Sequence, residues 1–227
     1  AKMPKLTTPD QVNLNYTDIG SGRPIVMIHG WPLSGAAFAD NAKVLAAAGY
    51  RVITYDRRGF GQSGKPRDGY DYDTLAADLD ALLTGLDLRG AVLLGFSMGG
   101  GEVARYLATR GSGRVGAAIL SGSVCPALCI TKDNPDGAMP REGFQELADA
   151  CAADHAGFVD QFCGWFYSND QGLAVPEEVR QQAVEIARQS APHAAVATIL
   201  TWTEDLREDC RRIDVPLLVI HGDGDQN

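Results

Sequence analysis

Ser97 stands between glycines in the run Ala91-Val92-Leu93-Leu94-Gly95-Phe96-Ser97-Met98-Gly99-Gly100-Gly101, which passes without a gap into Glu102-Val103-Ala104-Arg105-Tyr106-Leu107-Ala108. An apolar run, a small-residue turn and an amphipathic run in this order predict a strand, a sharp turn and a helix, with the serine at the apex. A serine hydroxyl is a weak nucleophile at neutral pH and must protrude to where a base reaches it; Gly95 and Gly99 leave room for such a turn. The helix that follows aims its free backbone N–H groups at the reacting centre, where negative charge develops on oxygen during acyl transfer, and Met98 donates one of them. Ser97 is therefore the candidate nucleophile. The plainer reading, a glycine-rich turn without chemistry, fits a bare Gly-x-Ser-x-Gly but does not account for the flanking strand and helix patterns.

The elements that must position Ser97 follow from the apolar pattern. Strand-like runs recur at 12–16, 25–28, 52–55, 91–94, 116–120 and 216–220, four of them almost continuously apolar, as parallel strands covered on both faces require. Helical patterns lie between them at 36–48, 74–86 and 100–109, with Asp73 at the N-cap position of the second. Strands alternating with helices predict an α/β fold, a doubly wound, mostly parallel sheet with helices on both faces. Ligand chemistry in such sheets gathers at the carboxyl ends of the strands. The loops there begin His29-Gly30-Trp31-Pro32-Leu33, Asp56-Arg57-Arg58-Gly59-Phe60-Gly61-Gln62-Ser63 and His221-Gly222-Asp223-Gly224-Asp225.

The alternation stops between 125 and 209, so this interval is expected to be a helical cap over the carboxyl edge, with 1–124 and 210–227 as the core. Its aromatic residues are Phe158, Phe162, Trp165, Phe166, Tyr167 and Trp202. About half of these rings are expected to be ordinary core of the cap; Phe162, Trp165 and Trp202 are the candidates for an apolar substrate pocket that excludes water.

At 227 residues the chain is long enough for one sizeable core with an insertion. A net charge of −9 offers no basic field for nucleic acid or anionic lipid. No window has the length of a membrane span, and Ala1-Lys2-Met3-Pro4-Lys5 carries no apolar signal core, so a cytoplasmic protein is expected. The five cysteines, Cys125, Cys129, Cys151, Cys163 and Cys210, include no Cys-x-x-Cys, which favours buried thiols over disulfides or a zinc site; Cys125 and Cys129 are the only pair close in sequence.

Taken together, these motifs resemble the α/β-hydrolase superfamily and, more narrowly, the bacterial arylesterases and perhydrolases often labelled cofactor-free haloperoxidases. The resemblance runs from His29-Gly30-Trp31 through Asp56-Arg57-Arg58-Gly59-Phe60-Gly61 and Gly95-Phe96-Ser97-Met98-Gly99-Gly100-Gly101 to His221-Gly222-Asp223-Gly224-Asp225-Gln226, essentially the whole chain. It implies that Ser97 is the acyl-accepting nucleophile and that the backbone N–H groups of Trp31 and Met98 form the oxyanion hole. It further implies that Asp225 is the triad acid, with Asp223 as the alternative at the same strand end. Asp56 and Arg57 take a structural role that ties loops together. The implied activity is ester hydrolysis through an acyl-serine, with peracid formation when hydrogen peroxide replaces water. The implied partners are small-molecule esters, or peroxide with a carboxylic acid, and neither metal nor cofactor is implied.

The chain departs from that pattern in one respect. The triad of this fold runs Ser, acid, His, and no histidine follows Asp225. The family's last strand and closing helix are missing from the pattern as well, so a C-terminal segment or a second chain is expected to supply the imidazole; a homo-oligomer is a separate expectation. His29 and His221 take structural positions at strand ends, His155 is expected to be solvated, and His193 follows Pro192 at a helix start. Without an outer strand, 216–220 would be an exposed apolar edge. A hydrolase-fold protein that binds an acyl or aryl ligand without catalysis is the alternative from a different class.

Overall fold

The computed structural model describes residues 3–225. Ala1 and Lys2 at the N-terminus, and Gln226 and Asn227 after the Asp225 loop, lie outside the described residues. Two strands open the chain, β1 (Lys5–Thr7) and β2 (Asn13–Gly20), and pair antiparallel. Strands and helices then alternate: β3 (Arg23–Ile28), α1 (Ala39–Ala47), β4 (Tyr50–Tyr55), α2 (Tyr72–Gly85), β5 (Ala91–Phe96), α3 (Gly99–Arg110) and β6 (Val115–Ser121). A last strand, β11 (Leu217–Ile220), joins β6 in parallel and completes the order β1-β2-β4-β3-β5-β6-β11. From β4 to β11 all neighbours are parallel, as the apolar runs predict.

The register explains why those runs are continuously apolar. Val26 and Ile28 of β3 face the cluster built with Leu79 and Leu82 of α2 and Val103 and Leu107 of α3. Ile25 and Met27, one residue out of phase, face the opposite cluster with Val52, Val92 and Ala42 of α1. Outer strand β11 has no such cover among the described residues: Leu217, Leu218, Val219 and Ile220 are 43–61 % exposed. This is the apolar edge expected for 216–220.

Between β6 and β11 lie α4 (Arg141–Ala153), α5 (His155–Phe166), α6 (Glu177–Ala187), α7 (Pro192–Thr201) and α8 (Arg207–Arg211). Two-residue pairs, β7 (Cys129–Ile130) with β8 (Met139–Pro140) and β9 (Ser168–Asn169) with β10 (Gly172–Leu173), punctuate them. Their apolar faces close on Trp31, Phe60 and Met98 of the sheet's carboxyl edge in a separate cluster that includes Cys151, Val159, Ile199 and Leu206. No helix among the described residues is long and apolar enough to cross a membrane.

Three local expectations need correction. The N-cap of α2 is Asp71, whose Oδ1 accepts from Thr74 N at 2.8 Å; Asp73 lies inside the first turn and pairs with Arg105 instead. The pattern at 36–48 begins as a 3₁₀ turn, Gly35–Phe38, because Ser34 Oγ caps Ala36 N ahead of α1. Strand β1 is too short to leave a periodic signal. Cys129, Cys151 and Cys163 are buried thiols, whereas Cys125 and Cys210 are only partly buried.

Candidate active site

Ser97 joins β5 to α3 in the left-handed region, at φ 52°, a conformation that costs a non-glycine residue energy and persists only where the surroundings impose it. They do so from three sides. Ser97 N donates to Ser121 O at 3.0 Å, and Ser97 O accepts from Gly100 N at 3.1 Å and Val124 N at 3.2 Å, so the turn is tied to its own helix and to the exit of β6. The helix passes so close to the strand that a Cβ at Gly95 would stand 2.6 Å from Gly100 N; only glycine fits there. Gly99 meets the backbone of Ile28 in β3 in the same way.

That close packing brings the loop after β3 against the serine. A Cβ at Gly30 would lie 3.2 Å from Ser97 Cβ, which sets the next residue, Trp31, beside the turn. Met98 is fully buried, and its carbonyl accepts from Tyr72 Oη at 2.8 Å and Gly101 N at 3.0 Å. The backbone N–H groups of Trp31 and Met98 donate to no acceptor among the described residues. Two unengaged donors beside a partly buried serine at a sharp turn can receive charge developing on an oxygen.

Trp31 also connects this turn to the helical insertion. Its Nε1–H donates to Ala195 O of α7 at 3.0 Å. Its ring takes edge contacts from Phe162 at 4.9 Å, Trp202 at 5.2 Å and Phe158 at 5.8 Å. Phe162 in turn packs against Trp165 and Phe166, and Phe166 against Phe96. Phe158, Phe162, Trp165 and Trp202 line a mainly apolar cavity of about 380 Å³ with Leu128 and Phe144. Trp165 separates it from a second cavity, of about 520 Å³, whose walls include Phe166, Gly224 and Asp225. Phe162, Trp165 and Trp202 are thus brought together around one space adjoining Trp31.

Asp225 reaches the same region from β11. Gly122 N donates to Ile220 O at 2.8 Å, and a Cβ at Gly122 would lie 3.5 Å from Phe96 and 3.8 Å from Asp225 Oδ2. The carboxylate sits 3.2 Å from His221 Nε2.

None of the four histidines makes a side-chain hydrogen bond to Ser97 among the described residues. His29 is buried, with Nδ1–H donating to Gly30 O and Nε2 accepting from Arg57 N, both at 2.9 Å. Burial, with Arg57 beside it, holds its pKa well below 6.5, so it is a neutral strut between two loops. His155 is not solvated as expected: it is partly buried, its Nε2 lies 2.9 Å from Ser190 Oγ, and burial lowers its pKa. His193 sits at the start of α7 behind Pro192, bonded to Pro66 O at 2.8 Å. His221 is taken by Asp225.

Asp56 accepts from Gly35 N at 2.9 Å, Asn15 Nδ2 at 3.0 Å and Gln62 N at 2.8 Å, stitching three segments together. Arg57 pairs not with Asp56 but with Glu102 on α3, whose other oxygen accepts from Tyr55 Oη at 3.1 Å. Both members of the Arg57–Glu102 pair are 1 % exposed, and burial pushes Glu102 above the usual carboxylate range. Glu102 and Tyr72 hold the turn and its helix, and the sequence reading did not single them out. A pair of arginines in a loop of small residues was the available signal, since buried guanidinium groups require carboxylate partners.

Comparisons with known proteins identify the fold and the family. The family model described as "alpha/beta hydrolase fold" matches residues 23–226. A non-heme chloroperoxidase of Streptomyces lividans is 44% identical over 229 residues, covering 99% of this chain and 83% of that protein. A bifunctional esterase/perhydrolase of Acinetobacter calcoaceticus is 35% identical over 226 residues, covering 97% and 82%. The crystal structure of a bromoperoxidase from Bacillus anthracis superposes with a TM-score of 0.95 at 39% identity, over 99% of this chain and 83% of that one.

Proposed function

Because the chain belongs to the α/β-hydrolase family of enzymes, with relatives named as a non-heme chloroperoxidase and an esterase/perhydrolase, we propose that it is a serine carboxylic-ester hydrolase of the arylesterase type, with perhydrolase activity at the same serine. The observation that carries this reading is the Ser97 turn itself: a nucleophile at φ 52° with the unengaged N–H groups of Trp31 and Met98 beside it. Ser97 Oγ attacks the ester carbonyl, and the carbonyl oxygen takes the electron pair while Trp31 N–H and Met98 N–H stabilise it. An imidazole accepts the serine proton and passes it to the departing alcohol; water then attacks the acyl-serine and releases the acid. Hydrogen peroxide in place of water releases a peracid instead, which oxidises halide in solution.

Asp225 is the proposed orienting carboxylate and Asp223 the alternative. The helical segment 125–209 is the proposed cap, and Phe162, Trp165 and Trp202 are its proposed contribution to the acyl or aryl pocket. The imidazole is assigned to a C-terminal segment or a second chain. Two observations support that assignment: among the described residues no histidine contacts Ser97, and no strand pairs with the outer edge of β11, next to Asp225. An arriving imidazole would replace His221 at Asp225.

The test is Ser97-dependent hydrolysis of p-nitrophenyl acetate, with peracid formation from acetate and hydrogen peroxide measured on the same preparation. Turnover that survives Ser97→Ala rejects the mechanism. Ligand binding under the cap with no turnover would instead favour a binding protein.

A further inference from the structure

A third cavity, of about 430 Å³ and mainly apolar, lies between β2, the end of β4 and the turn that leads into α1. It shares no lining residue with the two cavities that meet at Trp165. Ile19, Ala36, Ala39 and Ala42 belong to its apolar wall, and Asn15 and Asp56 line it as well. These two polar residues are 6 % and 5 % exposed. The Asp56 carboxylate is held by the N–H groups of Gly35, Gln62 and the Asn15 amide, and no lysine or arginine forms an ion pair with it among the described residues. Lys65, whose charge Asp56 favours, directs its Nζ to Gly61 O at 2.8 Å and Ser63 O at 3.3 Å instead. A carboxylate only accepts, so the Asn15 amide turns its Nδ2 to Asp56, at 3.0 Å, and its Oδ1 away. That oxygen is closed to bulk water and accepts from no group among the described residues.

We propose that this cavity binds a small primary ammonium compound, whose head donates to Asn15 Oδ1 beside the Asp56 carboxylate while a short apolar body lies along Ile19, Ala36, Ala39 and Ala42. A buried acceptor without a donor and a buried charge without a counter-ion each cost free energy. One group answers both, an N–H donor that carries positive charge. A bare metal ion would need about six oxygen ligands, which a wall of alanines and an isoleucine does not supply. Lys43 also lines the cavity, but it is exposed, and solvent screens its charge from the head group. Gly35 and Gln62 belong to the two loops that Asp56 joins, so an occupant braces both and stabilises the folded chain by mass action.

The site does not depend on the proposed Ser97 chemistry, and the experiment separates them. The full chain, Ser97→Ala, Ala36→Trp and Asn15→Leu are titrated with n-butylamine near neutral pH by calorimetry and thermal melts, and crystals of the parent are soaked in the amine. The probes 1-butanol and butanoate carry the same body without the charged head. The expected result, in the parent and in Ser97→Ala alike, is saturable binding of butylammonium at one site, at least about tenfold tighter than 1-butanol, with none of butanoate. The thermal midpoint rises with amine concentration, and the soaked crystal shows the nitrogen about 3 Å from Asn15 Oδ1. Ala36 is exposed, so Ala36→Trp fills the cavity from its rim, leaves Asn15 and Asp56 in place and weakens binding at least about tenfold. Asn15→Leu removes the acceptor with the same effect; if it does not fold, Ala36→Trp and the soaked crystal decide. No saturable binding, equal affinity for butylammonium and 1-butanol, binding that Ala36→Trp leaves unchanged or Ser97→Ala abolishes, or a water alone on Asn15 Oδ1 in the soaked crystal overturns the inference.

Discussion

Gly30 and Ser97 approach so closely that a methyl group on Gly30 would stand 3.2 Å from Ser97 Cβ, and this contact packs the loop that carries Trp31 against the serine turn. Gly30→Ala has to push the loop and the turn apart by a few tenths of an ångström. Small displacements of catalytic groups are expensive, and kcat on p-nitrophenyl acetate should fall by about 10-fold to 10²-fold with KM little changed. Steady-state kinetics on the folded variant, checked by circular dichroism, measures this. An unchanged kcat would mean that the Trp31 N–H does not act on the transition state.

Buried His29 gives the protein a pH signature. Its folded pKa is held well below the ordinary 6.5 by burial and by Arg57, so below pH 6.5 the unfolded chain binds a proton that the folded chain refuses. Stability is therefore complete above pH 6.5 and declines as pH falls below it, by up to about 1.4 kcal/mol per pH unit, until the folded pKa is reached. His29→Gln keeps an acceptor for Arg57 N and removes the titration. Urea melts between pH 7.5 and 5 should show a shallower decline in the variant than in the parent.

The Arg57–Glu102 pair is closed to water, so removing one partner leaves the other charge buried. Glu102→Ala should cost about 3–5 kcal/mol. Tyr55 Oη loses its acceptor in the same variant. Equilibrium denaturation gives the figure directly, and a cost under about 1 kcal/mol would show that the pair is not holding α3 against the loops.

Asp225 and Asp223 occupy one loop but differ in reach. Asp225 lies against Gly122 and contacts His221, whereas Asp223 makes no side-chain hydrogen bond or ion pair among the described residues. Asp225→Asn should lower kcat by about 10²–10⁴-fold through loss of imidazole orientation, and Asp223→Asn should leave it within a few-fold. The opposite ranking would transfer the role to Asp223.

The legible part of the molecule was whatever obeys a short-range rule. Alternation of apolar runs such as Ile25-Val26-Met27-Ile28 revealed a sheet covered on both faces, because each side chain's direction is set by its own backbone. Ser97 was legible because the glycines around it answer a local steric demand. Glu102 and Tyr72 were not, since their partners, Arg57 and Met98, lie 45 and 26 residues away and meet them only through the sheet order. Asp71 displaced Asp73 as the cap by two residues, a distinction made by where the backbone leaves its extended course, at Asp71, and not by residue type. The aromatic set was visible as a composition. Its convergence on Trp31 depends on how α5 and α7 pack, which periodicity does not determine.

The central claim is that Ser97 carries the acyl group. The direct measurement compares parent and Ser97→Ala, each folded, on p-nitrophenyl acetate, with the proposed imidazole-bearing segment or chain supplied. Intact mass is recorded during turnover. The parent should acquire an acetyl group that maps to Ser97, and the variant should lose at least about 10³-fold in kcat/KM with no acetylation at that position. Equal turnover by the two proteins, or acetylation at another residue in the parent, would contradict it.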